Sequence, residues 1–190
     1  MKLAAVVILY YPDENVINNI LSYISMVDCL IIWNNTPYDQ REQYTIEIPT
    51  YSDKIVYLGT DKNEGIAYAL NQTINWCIDN EYSHLLTMDQ DSCFENFKYY
   101  TEYIRMNLLG SSNIFIPNKY FIDKTSYQYN TEKEIITVPY FMNSGTVFKL
   151  SIFKCLGGFR EDYFIDAVDH EFSLRARDKG YQVFCITKAI

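Results

Sequence analysis

The sequence predicts an α/β domain in which helices flank a mixed, mostly parallel sheet. In the first half, short apolar runs alternate with stretches of helical periodicity, which is typical of a parallel sheet covered by helices. The apolar runs are continuous and rich in β-branched residues, as expected of strands buried on both faces. A chain of 190 residues with 48% hydrophobic content is long enough for one domain with a sizeable core.

The elements of the first half follow the order β-α-β-β-α-β-α-β. Each strand ends at turn residues such as Tyr-Pro-Asp or Asn-Thr-Pro, and each helix shows apolar positions three and four residues apart. We expect strands over 3–9, 29–33, 54–58, 84–88 and 113–117, a helix capped by Asp13 that extends to about Val27, a loop over 38–53, a helix that begins at Gly65, and a helix over 94–109 that ends at Gly110.

The pattern changes after residue 118, where we expect a β excursion followed by two further helices. Polar residues alternate with apolar ones over short distances, and Gly157-Gly158 and Gly180 end helical stretches. The predicted elements are a hairpin of 120–129 and 134–139, strand-like pieces at 140–143 and 145–150, a brief helix over 151–156 capped by Ser151, a helix within 163–179 with Phe172, Leu174 and Ala176 inside, and a last strand over 181–187.

Composition excludes several classes of protein. A formal net charge of −8 without any run of Lys or Arg argues against nucleic acid as the main partner. The five cysteines are odd in number and lack metal-ligand or redox spacing, so we expect free thiols in a reducing compartment. The apolar run near the N-terminus is too short to span a membrane. A cytoplasmic location is therefore expected.

Two acids directly follow the buried strand over residues 84–88. Alternate residues of extended chain point to the same side, so Asp89 and Asp91 should project together. Two carboxylates this close favour a bound cation. The pattern predicts a Mg²⁺ or Mn²⁺ site that substrate phosphates complete. The alternative is a polar turn in which Asp91 or Ser92 caps the next helix.

Polar segments also follow the first and second strands. The stretches Tyr10-Tyr11-Pro12 and Asn34-Asn35 should meet the acids at one edge of the sheet, where open α/β sheets bind ligands. A nucleotide would fit there, with its base near residues 10–12 and its polar edge at the Asn34 amide. The alternative is that both stretches are ordinary turns.

Two further segments carry candidate residues. Asn63 lies just before the helix that Gly65 begins, and the N-terminus of that helix could receive a phosphate, although plain helix capping would explain both residues equally. The acidic segment 157–171 places Asp166 and Asp169 three residues apart, on one face if a helix has begun there. An ionised carboxylate at a helix start suits a general base that takes a proton from a sugar hydroxyl. Helix capping by Asp166 is the alternative.

Together these motifs resemble a known family. The ordered set comprises Tyr-Tyr-Pro-Asp, Asn-Asn-Thr-Pro, Asn-Glu-Gly-Ile-Ala, Leu-Thr-Met-Asp-Gln-Asp-Ser, Met-Asn-Ser-Gly and Gly-Gly-Phe followed by Asp-Tyr-Phe-Ile-Asp-Ala-Val-Asp-His-Glu, and it covers residues 3–187. It resembles family 2 inverting glycosyltransferases of the GT-A fold, near the bacterial rhamnosyltransferases. The resemblance implies a nucleotide-sugar donor, with dTDP-rhamnose favoured and a UDP-sugar as the alternative.

The resemblance also implies roles for single residues. Asp91 matches the direct ligand of a Mg²⁺ or Mn²⁺ ion, with Asp89 towards the donor ribose or sugar, and Asp169 matches the catalytic base. Residues 1–117 would form the nucleotide-sugar half and 118–190 the acceptor side, which includes Asn143, Ser144, Gly145 and Asp166. The implied acceptor is a glycan or lipid-linked saccharide of bacterial surface polysaccharide synthesis, reached by a protein peripheral to the inner membrane.

The chain departs from the family pattern at two points. Asn34 stands where many relatives have Asp, which affects the choice of base, and the chain ends at Ile190 where relatives continue. We therefore expect a single domain that lacks a C-terminal extension. The main alternative is a catalytically incomplete GT-A-like nucleotide-binding or partner domain. A nucleotidyltransferase is disfavoured because residues 10–13 contain neither glycine nor a basic residue.

Overall fold

The computed structural model describes residues 1–107, 113–118, 129 and 131–190. Within these ranges the chain forms one sheet of eight strands. The strands are β1 (Leu3–Leu9), β2 (Cys29–Asn34), β3 (Ile55–Gly59), β4 (His84–Asp89), β5 (Asn113–Pro117), β6 (Ile135–Val138), β7 (Thr146–Lys149) and β8 (Gln182–Ile186).

The sheet is mixed and mostly parallel, which confirms the predicted fold class. Its strand order is β3-β2-β1-β4-β7-β5-β8-β6. The first four strands in that order run parallel to one another, β7 is antiparallel to both β4 and β5, β8 is parallel to β5, and β6 is antiparallel to β8. The carboxyl ends of β1 to β4 therefore share one edge.

Five α-helices cover the two faces of the sheet in the described part of the chain. They are α1 (Asn15–Leu21), α2 (Gly65–Asp79), α3 (Phe97–Asn107), α4 (Ser151–Leu156) and α5 (Val168–Asp178). One face packs against α2, α4 and α5 through side chains such as Leu70, Ile152 and Phe172. The other face packs against α1 and α3, where Ile20 and Tyr100 are fully buried. No helix in the described ranges is both long and apolar enough to cross a membrane.

Several local predictions were wrong. The first helix ends at Leu21 and is followed by a 3₁₀ turn at Ile24–Met26, and the predicted loop over 38–53 contains 3₁₀ turns at Tyr38–Tyr44 and Pro49–Lys54. Ser151 does not cap α4, because Leu150 occupies that N-cap position. Asp13, by contrast, does cap the first helix as predicted: its Oδ1 accepts the Asn15 N–H at 2.9 Å. Residues 140–143 form no strand. The Phe141 N–H donates to the Ser173 hydroxyl of α5 instead of to a neighbouring strand.

The pairing around β5 and the first residue of α5 go beyond what was predicted, and one buried position was predicted wrongly. Strand β5 does not lie beside β4, because β7 pairs between them. Helix α5 begins only at Val168, because Ala167 adopts a left-handed backbone conformation with φ of 64°. Leu174 is 52% exposed instead of inside. The predicted helix end at 108–110 and most of the hairpin arm at 120–129 lie outside the described residues, whereas 135–138 form β6 against β8.

Candidate active site

The ends of four parallel strands meet at one edge of the sheet, as the sequence predicted. Leu9 at the end of β1 pairs with Asn34 at the end of β2, and Asn34 pairs with Gly59 at the end of β3. On the other side of β1, Ile8 pairs with Asp89 at the end of β4. The register thus aligns the segments that begin at Tyr10, Asn34 and Asp89 within one row of residues.

The turn after β4 carries both candidate metal-binding acids on the surface. Asp89 and Asp91 are exposed, and the Ser92 N–H donates to the Asp89 carbonyl at 3.2 Å, which closes the turn. The Asp89 N–H donates to the Ser144 hydroxyl at 3.1 Å. The Asn19 amide of α1 donates to the Gln90 carbonyl at 2.9 Å. The backbone of the turn is thus held from α1 and from the 143–145 loop, while both acidic residues remain exposed.

The side chain of Gln90 fastens the same turn to the end of β1. The Tyr10 N–H donates to Gln90 Oε1 at 2.9 Å, and Gln90 Nε2 donates to the Tyr10 carbonyl at 3.1 Å. The amide therefore satisfies both backbone groups of Tyr10 as another strand residue would. As a result, the acid turn and the Tyr10 segment keep a fixed relative position.

The two acids suit a cation that protein and substrate bind together better than a cation that protein ligands alone enclose. In the described ranges, no three His, Cys, Asp or Glu side chains gather closely enough to hold a metal ion. Asp89 and Asp91 nevertheless offer hard oxygen ligands on the exposed turn after β4. Mg²⁺ and similar ions commonly bind one or two carboxylates and complete their coordination with substrate phosphates. The arrangement fits that second type of site.

A cleft of about 360 Å³ opens beside Asn34, between the ends of β1, β2 and β3. Arg41 is one of its lining residues, and the Arg41 guanidinium donates to the carbonyls of Asn34 at 3.2 Å and of Thr36 at 2.9 Å and also to that of Thr60. Asn34 Oδ1 accepts the Thr36 N–H at 2.9 Å. The remaining lining comes from Leu9, Ile32, Thr45, Ile46, Tyr57, Leu58 and Gly59.

Three tyrosines flank the end of β1. The Tyr10 ring lies 4.5 Å from the Tyr11 ring and the Tyr11 ring 5.3 Å from that of Tyr44, both edge to face. Tyr11 has a left-handed backbone with φ of 46°, and the Thr36 hydroxyl holds its N–H at 3.0 Å. Partial burial, followed by Tyr10, Asp39 and Tyr44, raises the pKa of the Tyr11 phenol. A neutral aromatic surface therefore borders the strand end.

Four predicted donor-side residues are committed to contacts within the protein. Asn35 is 3% exposed, accepts from Trp33 Nε1 at 2.9 Å and donates to the Gly65 carbonyl at 3.3 Å. Asn63 Oδ1 accepts the Gly65 N–H at 2.9 Å, which is the capping alternative. Pro12 is buried. These residues therefore support the site through internal contacts. Asn34 lines the cleft, and Tyr10, Asp89 and Asp91 are exposed beside it at the same sheet edge.

The acidic segment reaches the same edge through the start of α5. Asp169 lies in the first turn of α5 and is partly exposed, with Oδ1 accepting the His170 N–H at 2.8 Å. The unpaired N–H groups of a helix start favour a carboxylate there. Asp166 is exposed but precedes the helix, so the expected shared helical face with Asp169 is wrong. The left-handed residue Ala167 separates the two acids.

One segment connects the start of α5 to the acid turn. The Phe141 N–H donates to the Ser173 hydroxyl of α5 at 3.2 Å, and the Tyr140 ring lies 5.3 Å from the His170 ring. Three residues further on, Ser144 is 5% exposed and receives the Asp89 N–H. Gly145, with φ of 79°, donates to the Thr87 carbonyl at 2.8 Å. Asn143, Ser144 and Gly145 therefore contact β4 directly.

Sequence reasoning missed three residues of this site. Arg41 and Tyr44 lie in the stretch predicted as plain loop, and Gln90 lay between the two acids without an assigned role. The available signal for Arg41 was that it is the only basic residue between positions 38 and 53. No periodic pattern indicated Tyr44 or Gln90, since both act through contacts with residues distant in the sequence.

Comparison with known sequences identifies one informative relative. No family model matches the chain. The dTDP-rhamnosyl transferase RfbF of Shigella flexneri is 26% identical over 202 residues, and the match covers 96% of this chain. The chain spans 65% of the length of that relative. The chain is therefore similar in sequence to the larger part of a glycosyltransferase.

Solved structures establish the fold. TarS 1–349 of S. aureus in complex with UDP-GlcNAc matches with a TM-score of 0.68 and 15% identity over 99% of this chain and 56% of its own. GalNAc-T7 with UDP, GalNAc and Mn²⁺ matches with a TM-score of 0.71 and 8% identity over 99% and 42%. The mannosyltransferase PcManGT of Pyrobaculum calidifontis, bound to GDP-Man and Mn²⁺, matches with 0.67 and 17% over 96% and 53%. The chain thus has the GT-A fold of these glycosyltransferases.

Proposed function

Starting from this GT-A fold, we propose that the chain is the catalytic region of an inverting glycosyltransferase that moves a sugar from a nucleotide-sugar donor to an acceptor hydroxyl. One observation carries the proposal: the exposed Asp89–Asp91 turn and the cleft beside Asn34 lie at the same sheet edge, in register with the end of β1. The names of the relative, a dTDP-rhamnosyl transferase, and of PcManGT, a mannosyltransferase, support the same conclusion, as do the UDP-GlcNAc bound to TarS and the UDP bound to GalNAc-T7.

The donor would bind across the ends of β1 and β2. Its base would enter the cleft beside Asn34, with the tyrosines at residues 10 and 11 as an aromatic border. An amide can pair with the edge of a pyrimidine, since it offers both a donor and an acceptor. We favour dTDP-rhamnose because the relative is named a dTDP-rhamnosyl transferase, with a UDP-sugar as the alternative, since neighbouring structures contain UDP or UDP-GlcNAc.

The diphosphate would lie at the acid turn. Asp91 would hold a Mg²⁺ or Mn²⁺ ion directly, and Asp89 would face the ribose or the sugar; two structural neighbours contain Mn²⁺. When bound, such an ion neutralises the charge that develops on a leaving diphosphate. The protein's own part is to keep the turn rigid, which the bonds from Gln90, Asn19 and Ser144 achieve.

The transfer would be a single displacement at the anomeric carbon. Asp169 would accept the proton of the acceptor hydroxyl while the acceptor oxygen bonds to that carbon and the bond from the sugar to the diphosphate breaks. The attack comes from the face opposite the leaving group, so the anomeric configuration inverts. We assign residues 1–117 to the donor half and 118–190 to the acceptor side, where Asp166 and the 143–145 loop would contribute.

The wider setting follows from the resemblance and is part of the proposal. We expect a glycan or lipid-linked acceptor in bacterial surface polysaccharide synthesis. The five cysteines are free, and three of them (Cys29, Cys77 and Cys185) are buried. Burial raises the pKa of the Cys77 and Cys185 thiols to about 12, which keeps them protonated and unreactive. Inert thiols of this kind support a reducing, cytoplasmic setting, peripheral to the membrane where the acceptor is lipid-linked.

Titration calorimetry with nucleoside diphosphates tests the proposal. We expect dTDP or UDP to bind with an affinity that rises when Mn²⁺ is added, and GDP to bind more weakly. A folded protein that binds neither pyrimidine nucleotide would refute the proposal. Nucleotide binding without any transfer from dTDP-rhamnose or a UDP-sugar would instead favour the incomplete binding domain as the description of these 190 residues.

A further inference from the structure

We propose that Asn71 is a positioning residue that locks the acidic loop, defined as residues 157–167, onto α2 and thereby sets the position of Asp169. Asn71 lies on the second turn of α2. This helix comes after β3 in the chain and begins near the sheet edge that carries the candidate site. The acidic loop leads directly into α5, whose second residue is Asp169. The inference rests on the proposed function, because it assigns a catalytic consequence to the docking of this loop.

The amide of Asn71 binds the loop in both directions. The Phe159 N–H donates to Asn71 Oδ1 at 2.7 Å, and Asn71 Nδ2 donates to the Phe159 carbonyl at 2.8 Å. Asn71 Nδ2 also donates to the Glu161 carboxylate at 2.8 Å. One side chain therefore satisfies the complete backbone of one loop residue and adds a charge-assisted bond to another. No other uncharged side chain of similar size offers both a donor and an acceptor in this geometry.

Two glycines allow the loop to lie this close to α2. A Cβ atom at Gly158 would lie 2.3 Å from Asn71 Oδ1, so only glycine fits against the amide. At the first residue of α2, a Cβ atom at Gly65 would lie 2.6 Å from the Phe164 carbonyl. That carbonyl accepts the Ile66 N–H at 2.9 Å, which satisfies one of the donors at the helix start. The loop is thus docked on α2 near both of its own ends.

Helix α5 holds the other side of the same glycine. Arg175 donates to the carbonyls of Leu156 at 2.5 Å and Gly158 at 2.9 Å, and it forms a bidentate pair with Glu171 at 2.9 and 2.7 Å. Gly158 therefore lies between Asn71 of α2 and Arg175 of α5. These contacts make α2, the loop and the start of α5 one connected unit, so a displaced loop would displace Asp169 relative to the donor side.

The contribution of Asn71 can be separated from the stability of the core. The buried face of α2 consists of other residues, among them Ala67, Leu70 and Ile74, whereas Asn71 is partly exposed. A substitution at Asn71 therefore changes the loop contact without opening a cavity in the core. Catalytic geometry is sensitive at this scale, since a misplacement of about 1 Å can cost about 100-fold in rate.

The test substitution is Asn71→Asp, which keeps the shape of the side chain but removes both donors and adds a charge beside Glu161. We expect kcat for transfer to fall by about 10- to 100-fold, with little change in the KM for the donor or in dTDP affinity. Hydrogen exchange of the 157–167 peptides should accelerate. The matched control is Asn80→Asp at the other end of α2, where the side chain contacts only the Trp76 carbonyl of its own helix in the described ranges. This control should behave as wild type.

A second substitution provides the rescue. Glu161→Gln in the Asn71→Asp background replaces one of the two facing carboxylates by an amide. This removes their repulsion and supplies a donor to residue 71, so part of the lost kcat and exchange protection should return. Asn71→Ser, which adds no charge, replaces Asn71→Asp if that variant fails to fold, with the same expected direction. Wild-type kcat and wild-type loop exchange in either variant would overturn the inference, as would parallel losses of binding and turnover without rescue.

The outcomes separate this inference from the proposed function. If the wild-type protein neither binds nucleotides nor transfers a sugar, the proposed function fails, and so does the catalytic consequence assigned to Asn71. The exchange measurement would still report whether Asn71 docks the loop. If the wild-type protein is active and Asn71→Asp retains full kcat, only the present inference fails.

Discussion

The two ends of strand β4 carry ionisable residues in opposite surroundings. At its start, His84 is 5% exposed and pairs in register with Leu3 on one side and Lys149 on the other. Its Nδ1 lies 2.8 Å from the Ser83 hydroxyl, and its Nε2 is buried without a hydrogen-bond partner among the described residues. At the other end, Asp89 is the sixth and last residue of the strand, and together with Asp91 it forms an exposed acidic turn.

The two ends of β4 differ in whether an ionisable side chain is charged there at pH 7. Burial, followed by the N-terminal ammonium and Lys149, lowers the pKa of His84 to about 4, so the ring stays neutral in the folded protein at pH 7. At the other end Asp89 and Asp91 are exposed, and backbone bonds hold their turn. We infer that the amino edge contributes stability and the carboxyl edge contributes binding and catalysis. Each prediction below tests this separation.

The largest effect is expected at the carboxyl edge from Asp169→Asn. An amide cannot accept the proton of the acceptor hydroxyl, so kcat should fall by about 100- to 10,000-fold, the usual contribution of a general base. Donor affinity, measured by calorimetry, should stay unchanged. The control is Asp178→Asn, an exposed acid in the last residue of the same helix. Equal losses of binding and turnover would give Asp169 a structural role.

The next effect belongs to the amino edge and concerns stability against pH. Because the pKa of His84 is about 4 in the folded protein and about 6.5 when unfolded, the unfolded chain binds an extra proton between these values. The free energy of unfolding should therefore decrease as pH falls from 6.5 to 4, by roughly 3 kcal/mol from this group. Urea denaturation across that range measures the slope.

The variant His84→Gln should remove most of this slope, because glutamine does not titrate. His170→Gln is the matched control, since His170 is the other histidine and is exposed on α5. It should retain the slope. An unchanged slope in His84→Gln would show that the buried ring does not govern acid stability.

A smaller effect is expected from Arg41→Lys at the cleft. A lysine cannot donate to several carbonyls in the planar arrangement that Arg41 uses, so the wall of the cleft should loosen. We expect the affinity for dTDP to fall about tenfold, equivalent to about 1.4 kcal/mol, with and without Mn²⁺. Arg105→Lys, an exposed position near the end of α3, is the control. A loss seen only with Mn²⁺ would contradict a role on the base side.

The sequence predicted those parts of the fold and site that depend on local patterns. Continuous apolar runs identified β1, β2, β4 and β5, and the ends of the first three located Tyr10, Asn34 and Asp89 at one edge. The insertion of β7 between β4 and β5 was not predictable, because pairing between distant segments decides strand order. The same holds for Arg41, whose role arises from carbonyls that converge only in the folded chain.

The helix that carries Asp169 shows a second limit. Glu171 and Arg175 have the i,i+4 spacing of a helical ion pair, and the structure forms that pair as a bidentate contact. The first residue of the helix was not predictable, because a left-handed alanine at position 167 has no sequence signal of the kind that glycine gives. The Glu171 N–H donates to the Ala167 carbonyl at 2.9 Å, so the helical hydrogen bonds begin directly at this residue. The backbone conformation of a single alanine therefore sets the boundary.

The separation between the two ends of β4 is tested most directly by dTDP titration in the presence of Mn²⁺, with Asp91→Asn and His84→Gln compared in parallel. We predict that the first variant loses about 100-fold in affinity, since it removes the proposed metal ligand, and the loss of a group that only hydrogen-bonds to such a ligand already costs about 10- to 100-fold. Its free energy of unfolding should stay at the wild-type value, and His84→Gln should bind dTDP normally. The account would be contradicted if Asp91→Asn kept wild-type affinity, or if both variants lost affinity equally.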